Sequence, residues 1–162
     1  MNHHPTPPVP ATARRTRPSR TAYRHFHRIE TRWHDNDAYG HVNNVTYYAY
    51  VDTAVNRFLI DNGLIDIARS PHIFLVAETG LTYFASAAYP DALEVGLAIS
   101  RLGRSSVTYD VAVFRTGENE ALAAGHYVHV LVARDSQRPV DILEKIRTAL
   151  LPLVVDARND AG

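Results

Sequence analysis

The residues of this chain best equipped for chemistry lie in one run, Trp33-His34-Asp35-Asn36-Asp37-Ala38-Tyr39-Gly40-His41-Val42-Asn43-Asn44. Three chemistries fit parts of it. Asp35, Asp37 and Gly40 match positions 1, 3 and 6 of a calcium loop. Position 12 would then be Thr46, where a bidentate glutamate is required, and the run follows a strand pattern instead of a helix. His34, Asp37 and His41 offer imidazole and carboxylate to a transition metal, with no distant ligand to close the site. The third reading sets a carboxylate just ahead of a helix. A helix N-terminus has unpaired N–H groups and a partial positive charge, which can hold a carbonyl oxygen and the oxyanion formed when it is attacked. A carboxylate a few residues earlier is then placed as nucleophile or general base. Taken alone, Asp37 would serve equally well as a turn cap.

The elements that must position this run can be read from periodicity. Ile29, Thr31 and Trp33 alternate with Arg28, Glu30 and Arg32, the period of a half-buried strand, until the polar run stops it. Residues 44–62 read as a helix closed by Asn62-Gly63. It is apolar over most of its circumference, which predicts a helix enclosed by the rest of the fold. Four strands follow, near 73–84, 93–102, 105–115 and 122–133, separated by Tyr89-Pro90-Asp91, Gly103-Arg104 and Thr116-Gly117-Glu118-Asn119. Their close spacing makes neighbours antiparallel. Ile142, Leu143, Ile146 and Leu150 predict a last short helix near 140–151. The class is α+β, one domain of helix and antiparallel sheet.

Composition excludes several alternatives. The chain has 162 residues, no cysteine, and 17 basic against 17 acidic side chains. Disulfides, thiolate metal sites and thiol nucleophiles are therefore out, and no apolar run is long enough for a membrane span. Overall neutrality speaks against a nucleic-acid binder, although it hides a gradient. Residues 1–29 contain six arginines and no acid. Residues 1–22, rich in proline and arginine, read as a disordered basic arm ahead of a domain at 23–162. Arg14-Arg15 lacks the apolar segment of a twin-arginine signal; a transit peptide would share the arm's composition.

The run Asp35-Asn36-Asp37-Ala38-Tyr39-Gly40-His41-Val42-Asn43-Asn44-Val45-Thr46-Tyr47 resembles the signature of the 4-hydroxybenzoyl-CoA thioesterase family of hotdog-fold acyl-CoA thioesterases. Weaker likenesses follow in order: Tyr83, Asp91, Leu93 and Val95; Gly103-Arg104-Ser105-Ser106; and Arg138-Pro139-Val140. Together they span residues 26–143. Ser86, Pro90 and Leu143 depart from the usual pattern. The resemblance implies a hotdog fold, a curved antiparallel sheet wrapped around one long central helix, with active sites at the interface of a homodimer or homotetramer. It implies a cytoplasmic hydrolase acting on acyl-CoA in fatty acid metabolism, with no metal or other cofactor, CoA being part of the substrate. Asp37 matches the catalytic carboxylate, and Asn44 lies where a backbone N–H would polarise the thioester carbonyl. His41 could orient Asp37 or water. Tyr47 could line the acyl channel, Arg104 could meet CoA phosphates, and Ser105 and Ser106 could support the pantetheine arm.

Three other functions remain open on sequence grounds. An acyl-carrier-protein thioester could replace acyl-CoA. Asp37 and His41 also supply the residue types of a hotdog enoyl-CoA hydratase, and the same fold could be a non-catalytic acyl-CoA-binding module. A serine hydrolase is disfavoured because no Gly-x-Ser-x-Gly elbow occurs.

Overall fold

A computed structural model describes residues 16–155. The elements are β1 (His25–Glu30), α1 (Asn44–Asp61), β2 (His72–Tyr83), β3 (Ala92–Leu102), β4 (Ser106–Arg115), β5 (Ala123–Ala133) and α2 (Glu144–Leu150), with short 3-10 turns at Arg20–Ala22, Trp33–Asp35 and Leu151–Leu153. The strands form one antiparallel sheet in the order β1-β3-β4-β5-β2. The order of elements and the antiparallel sense of the sheet are those expected from the sequence, and β3, β4 and β5 pair in succession; β2 does not neighbour β3 as its spacing suggests but crosses over to pair with β5. The first strand ends earlier than its alternation suggests, because Trp33 already belongs to the turn that follows.

Helix α1 starts where Asn43 takes the Val45 N–H on its side chain and stops at Asn62, before Gly63 at φ +61°. Its buried residues are Tyr47, Tyr50, Val51, Ala54, Val55, Phe58 and Leu59, one stripe at helical spacing. They meet Leu93, Val95, Leu97, Ile99, Tyr109, Val111 and Tyr127 from β3, β4 and β5 in the main core. The opposite flank is open: Val45 is 67% exposed and Ala49 is exposed. The expectation of a long central helix enclosed on most sides is therefore corrected for the single chain. An 18-residue helix lies with one face on the sheet.

The sheet's other face carries a second cluster of Tyr23, Ala98, Ala112, Phe114, Ala121 and Ala124. Part of the expected disordered arm contributes to it. Arg17 donates from Nε and Nη2 to the Ala121 carbonyl at 3.1 and 3.0 Å, and Arg20 bonds Glu94 at 2.7 Å with its guanidinium 4.1 Å from the Phe26 ring centre. Residues 17–22 of the segment expected to be disordered thus pack against the domain that follows. Residues 1–15 of that arm lie outside the described residues. Gly96 makes room for this layer: a Cβ there would stand 2.9 Å from the Tyr23 ring. Among the described residues no helix is long and apolar enough to cross a membrane.

Candidate active site

The run singled out in the sequence forms a small closed turn between β1 and α1. At its base the Asp35 carboxylate, 3% exposed, accepts the Tyr50 hydroxyl at 2.6 Å and the Arg32 N–H at 2.7 Å, both on one oxygen. Its other oxygen faces Arg32 Nε at 3.6 Å and His34 Nε2 at 3.8 Å. Burial pushes the Asp35 pKa up, but the Tyr50 and Arg32 hydrogen bonds and the Arg32 charge outweigh it and hold it below the ordinary aspartate value. The same Tyr50 phenol is raised well beyond its usual range by burial and by this carboxylate.

Above that base the chain doubles back. Asp37 N–H donates to the His41 carbonyl at 2.8 Å, and Gly40 N–H donates to the Asp37 carbonyl at 3.1 Å. Gly40 has φ +79°, which suits glycine and closes the turn. One oxygen of the half-buried Asp37 carboxylate accepts Tyr39 N–H at 2.8 Å, and the other has no partner among the described residues. Beside it begins α1. Asn43 satisfies Val45 N–H with its side chain at 3.0 Å and Thr46 N–H with its carbonyl at 2.9 Å. The first helical N–H, that of Asn44, meets no acceptor among the described residues.

A cavity of about 380 Å³ opens at this junction, lined by Asp37, Val42, Asn44, Tyr47, Tyr83 and Ser86 among others. Tyr47 accepts the Ala87 N–H at 3.1 Å, and Tyr83 donates to the Asn44 carbonyl at 2.8 Å. Their rings meet edge to face at 5.3 Å, forming an apolar wall with polar tips. Burial and the neighbouring Tyr48 push the Tyr83 phenol up to about 12.

Of the sequence candidates, Asp37, Asn44 and Tyr47 line this cavity. His41 is exposed and offers its carbonyl to Asp37, while its side chain is outside the lining. Arg104, Ser105 and Ser106 are elsewhere in the chain. Arg104 is exposed with Asp141 at 3.4 Å, the Ser105 carbonyl accepts Leu131 N–H, and Ser106 opens β4 opposite Val130. On β5, Val130 and the Ala123 that faces Tyr83 are separated by roughly 23 Å of strand. Asp35 and Tyr50 were missed as a pair. Only the first aspartate of Asp-x-Asp and the position of Tyr50 on the buried helical stripe hinted at them. No group of three or more His, Cys, Asp or Glu side chains is placed to hold a metal among the described residues.

The sequence pattern of the thioesterase-like superfamily matches residues 31–150, which contain this whole site. The chain belongs to that superfamily. Its thioesterase-like fold is shared with the PA5185 protein of Pseudomonas aeruginosa, 53% identical, covering 88% of this chain and all of that one, with a TM-score of 0.85. The PA2801 protein of the same organism is 28% identical over 78% of this chain and 98% of its own, with a TM-score of 0.72. The 1,4-dihydroxy-2-naphthoyl-CoA thioesterase of Synechocystis is 19% identical over 78% and 94%, with a TM-score of 0.70, a likeness of fold alone. A five-stranded antiparallel sheet with a helix against it is thus the hotdog arrangement of this superfamily.

Proposed function

We propose that this chain is an acyl-CoA thioesterase of the 4-hydroxybenzoyl-CoA thioesterase type, hydrolysing a thioester to a carboxylic acid and CoA. The reading rests on one observation: an unpartnered Asp37 oxygen and the unpaired Asn44 N–H belong to residues lining the same cavity. The thioester carbonyl accepts from Asn44 N–H, and negative charge develops on that oxygen as the carbon is attacked. With Asp37 as general base, a water oxygen adds to the carbonyl carbon while its proton passes to the carboxylate. Collapse expels the CoA sulfur, which takes the proton back. With Asp37 as nucleophile, its oxygen displaces CoA thiolate to form a mixed anhydride; water then cleaves the anhydride to the carboxylic acid and the Asp37 carboxylate, and the remaining proton goes to the CoA sulfur. Superfamily membership and the likeness to the PA2801 protein, described as a putative thioesterase, support hydrolysis as the reaction class. A hydratase using Asp37 with His41 is less well supported, since the His41 side chain is not among the cavity's lining.

The partner is proposed to be a second copy. Among the described residues strand β2 pairs on one edge only, with β5, and its middle exposes Leu75, Val76 and Ala77. Antiparallel pairing of two β2 edges sets the Tyr83 end of one against the His72 end of the other. The partner subunit's Arg104, the partner subunit's Ser105 and the partner subunit's Ser106 then approach the end of the sheet where this cavity lies. In such a pair the hairpin of one copy meets CoA at the cavity of the other, whereas its own cavity is separated from it by roughly 23 Å of strand.

The test is release of free thiol from short, long and aromatic acyl-CoAs, and from acyl-carrier-protein thioesters, by wild type and Asp37→Asn. Wild type should turn over at least one substrate, and the variant should be slower by about 10²- to 10⁴-fold. Equal rates for the two proteins, or crotonyl-CoA hydration without thiol release, would refute the proposal.

A further inference from the structure

We propose that Asp35 is a positioning residue for the reaction, holding Asp37 and the Asn44 N–H in register through a hydrogen bond from Tyr50. This rests on the hydrolase reading above and assigns the two aspartates of the run different jobs.

Their surroundings differ although only one residue separates them. Asp37 lines the cavity with one oxygen that has no partner among the described residues, whereas Asp35 is 3% exposed, with two hydrogen bonds on one oxygen and the Arg32 and His34 side chains 3.6 and 3.8 Å from the other. A buried carboxylate costs several kcal/mol of desolvation unless hydrogen bonds offset it. Here they come from two places at once: Arg32 N–H, just ahead of the 3-10 turn that follows β1, and the Tyr50 hydroxyl on the second turn of α1. The backbone of the same residue supplies the third tie, because the Asp35 carbonyl accepts Asn43 N–H at 2.9 Å. Asn43 is the helix cap, and Asn44 follows it. Both ends of the turn that carries Asp37 therefore meet at Asp35, and so does the start of the helix that carries the free N–H.

Tyr50 is 3% exposed and its hydroxyl is given to Asp35 alone among the described residues. The depressed Asp35 pKa agrees with a charged acceptor, which makes the 2.6 Å contact a charge-assisted one. Removing the hydroxyl leaves a buried charge one donor short, and the carboxylate must turn or take up water. Either response moves the turn relative to the helix end. Misplacement of reacting groups by about 1 Å is enough to cost roughly 100-fold in rate.

The experiment compares wild type, Asp37→Asn, Tyr50→Phe and Asp35→Asn by thiol release, with kcat expressed per folded molecule from near-UV dichroism and measured well below each melting midpoint. Tyr50→Phe keeps the ring and should fold. The expected result is a kcat lower by roughly 10- to 100-fold for Tyr50→Phe and for Asp35→Asn, with KM within about twofold of wild type. A folded Tyr50→Phe whose kcat stays within twofold of wild type, while Asp37→Asn is strongly impaired, overturns the positioning role and leaves the hydrolase reading standing. A Tyr50→Phe variant with raised KM and unchanged kcat overturns it in the same way. If wild type releases no thiol, or Asp37→Asn equals it, both proposals fall together.

Discussion

At the scale of single residues, the chain places like groups in unlike surroundings and so separates their chemistry. Asp35 and Asp37 are one example; the nine histidines are another. His34 and His41 are exposed, while His129 is buried against Phe74, with ring centres 5.0 Å apart and planes 13° from parallel, and edge-on to Tyr127 at 4.8 Å. Among the described residues its Nδ1 has no hydrogen-bond partner, and burial lowers its pKa to about 4. The unfolded chain takes up this proton below about pH 6.5, and the folded chain only near pH 4. Stability should therefore fall as the pH drops through that interval, by ~3 kcal/mol in full. Urea unfolding of wild type and His129→Phe at pH 7 and pH 4.5 checks this. Wild type should lose about 2–3 kcal/mol more than the variant between the two conditions, and equal losses would contradict a neutral buried imidazole.

At the scale of elements, the cavity depends on how closely β2 lies on β5. Tyr83, whose hydroxyl holds the Asn44 carbonyl, is the last residue of β2 and pairs with Ala123. Two residues along, Leu81 pairs with Gly125, and a Cβ on Gly125 would stand 1.8 Å from the Gly80 carbonyl oxygen. No side chain can turn aside there, because backbone meets backbone. Gly125→Ala should destabilise the fold by about 3 kcal/mol or more, seen as a lower urea midpoint. A midpoint close to wild type would mean that β2 can lift away locally, and activity should then be lost before the fold is.

At the scale of the whole molecule, one chain leaves surfaces that isolated sheets and helices do not usually leave. The 12-residue edge strand β2 shows Val76 at 47% exposure, and the outer flank of α1 shows Val45. Natural edge strands are normally blunted with charge or proline, and this stretch has neither before Glu78. The proposed second copy, paired along β2, would cover the strand. Sedimentation at tens of micromolar should give about twice 18.1 kDa or a multiple of that, and Val76→Lys should shift it towards the monomer with loss of thiol release. A monomeric, fully active wild type would remove the dimer and, with it, the part given to the hairpin at 103–106.

Much of this was legible from local pattern. The order of elements, the stop at Asn62-Gly63, the hairpin turns and the Asp-x-Asp run before a helix all follow from periodicity and from residue types with strong backbone preferences. These are short-range properties, and the chain determines them by itself. What the tertiary structure decided is of another kind. Which aspartate would face the cavity, that Tyr50 would hold the other, and that Ser105 and Ser106 would stand far from both were set by contacts across the sheet. The docking of Arg17 on the Ala121 carbonyl, 104 residues away, replaced an expected disordered segment for the same reason. Composition describes how much a segment can bury by itself. Whether it is ordered depends also on the surface it meets, here a layer of alanines on β3, β4 and β5 that no local pattern around residue 17 records.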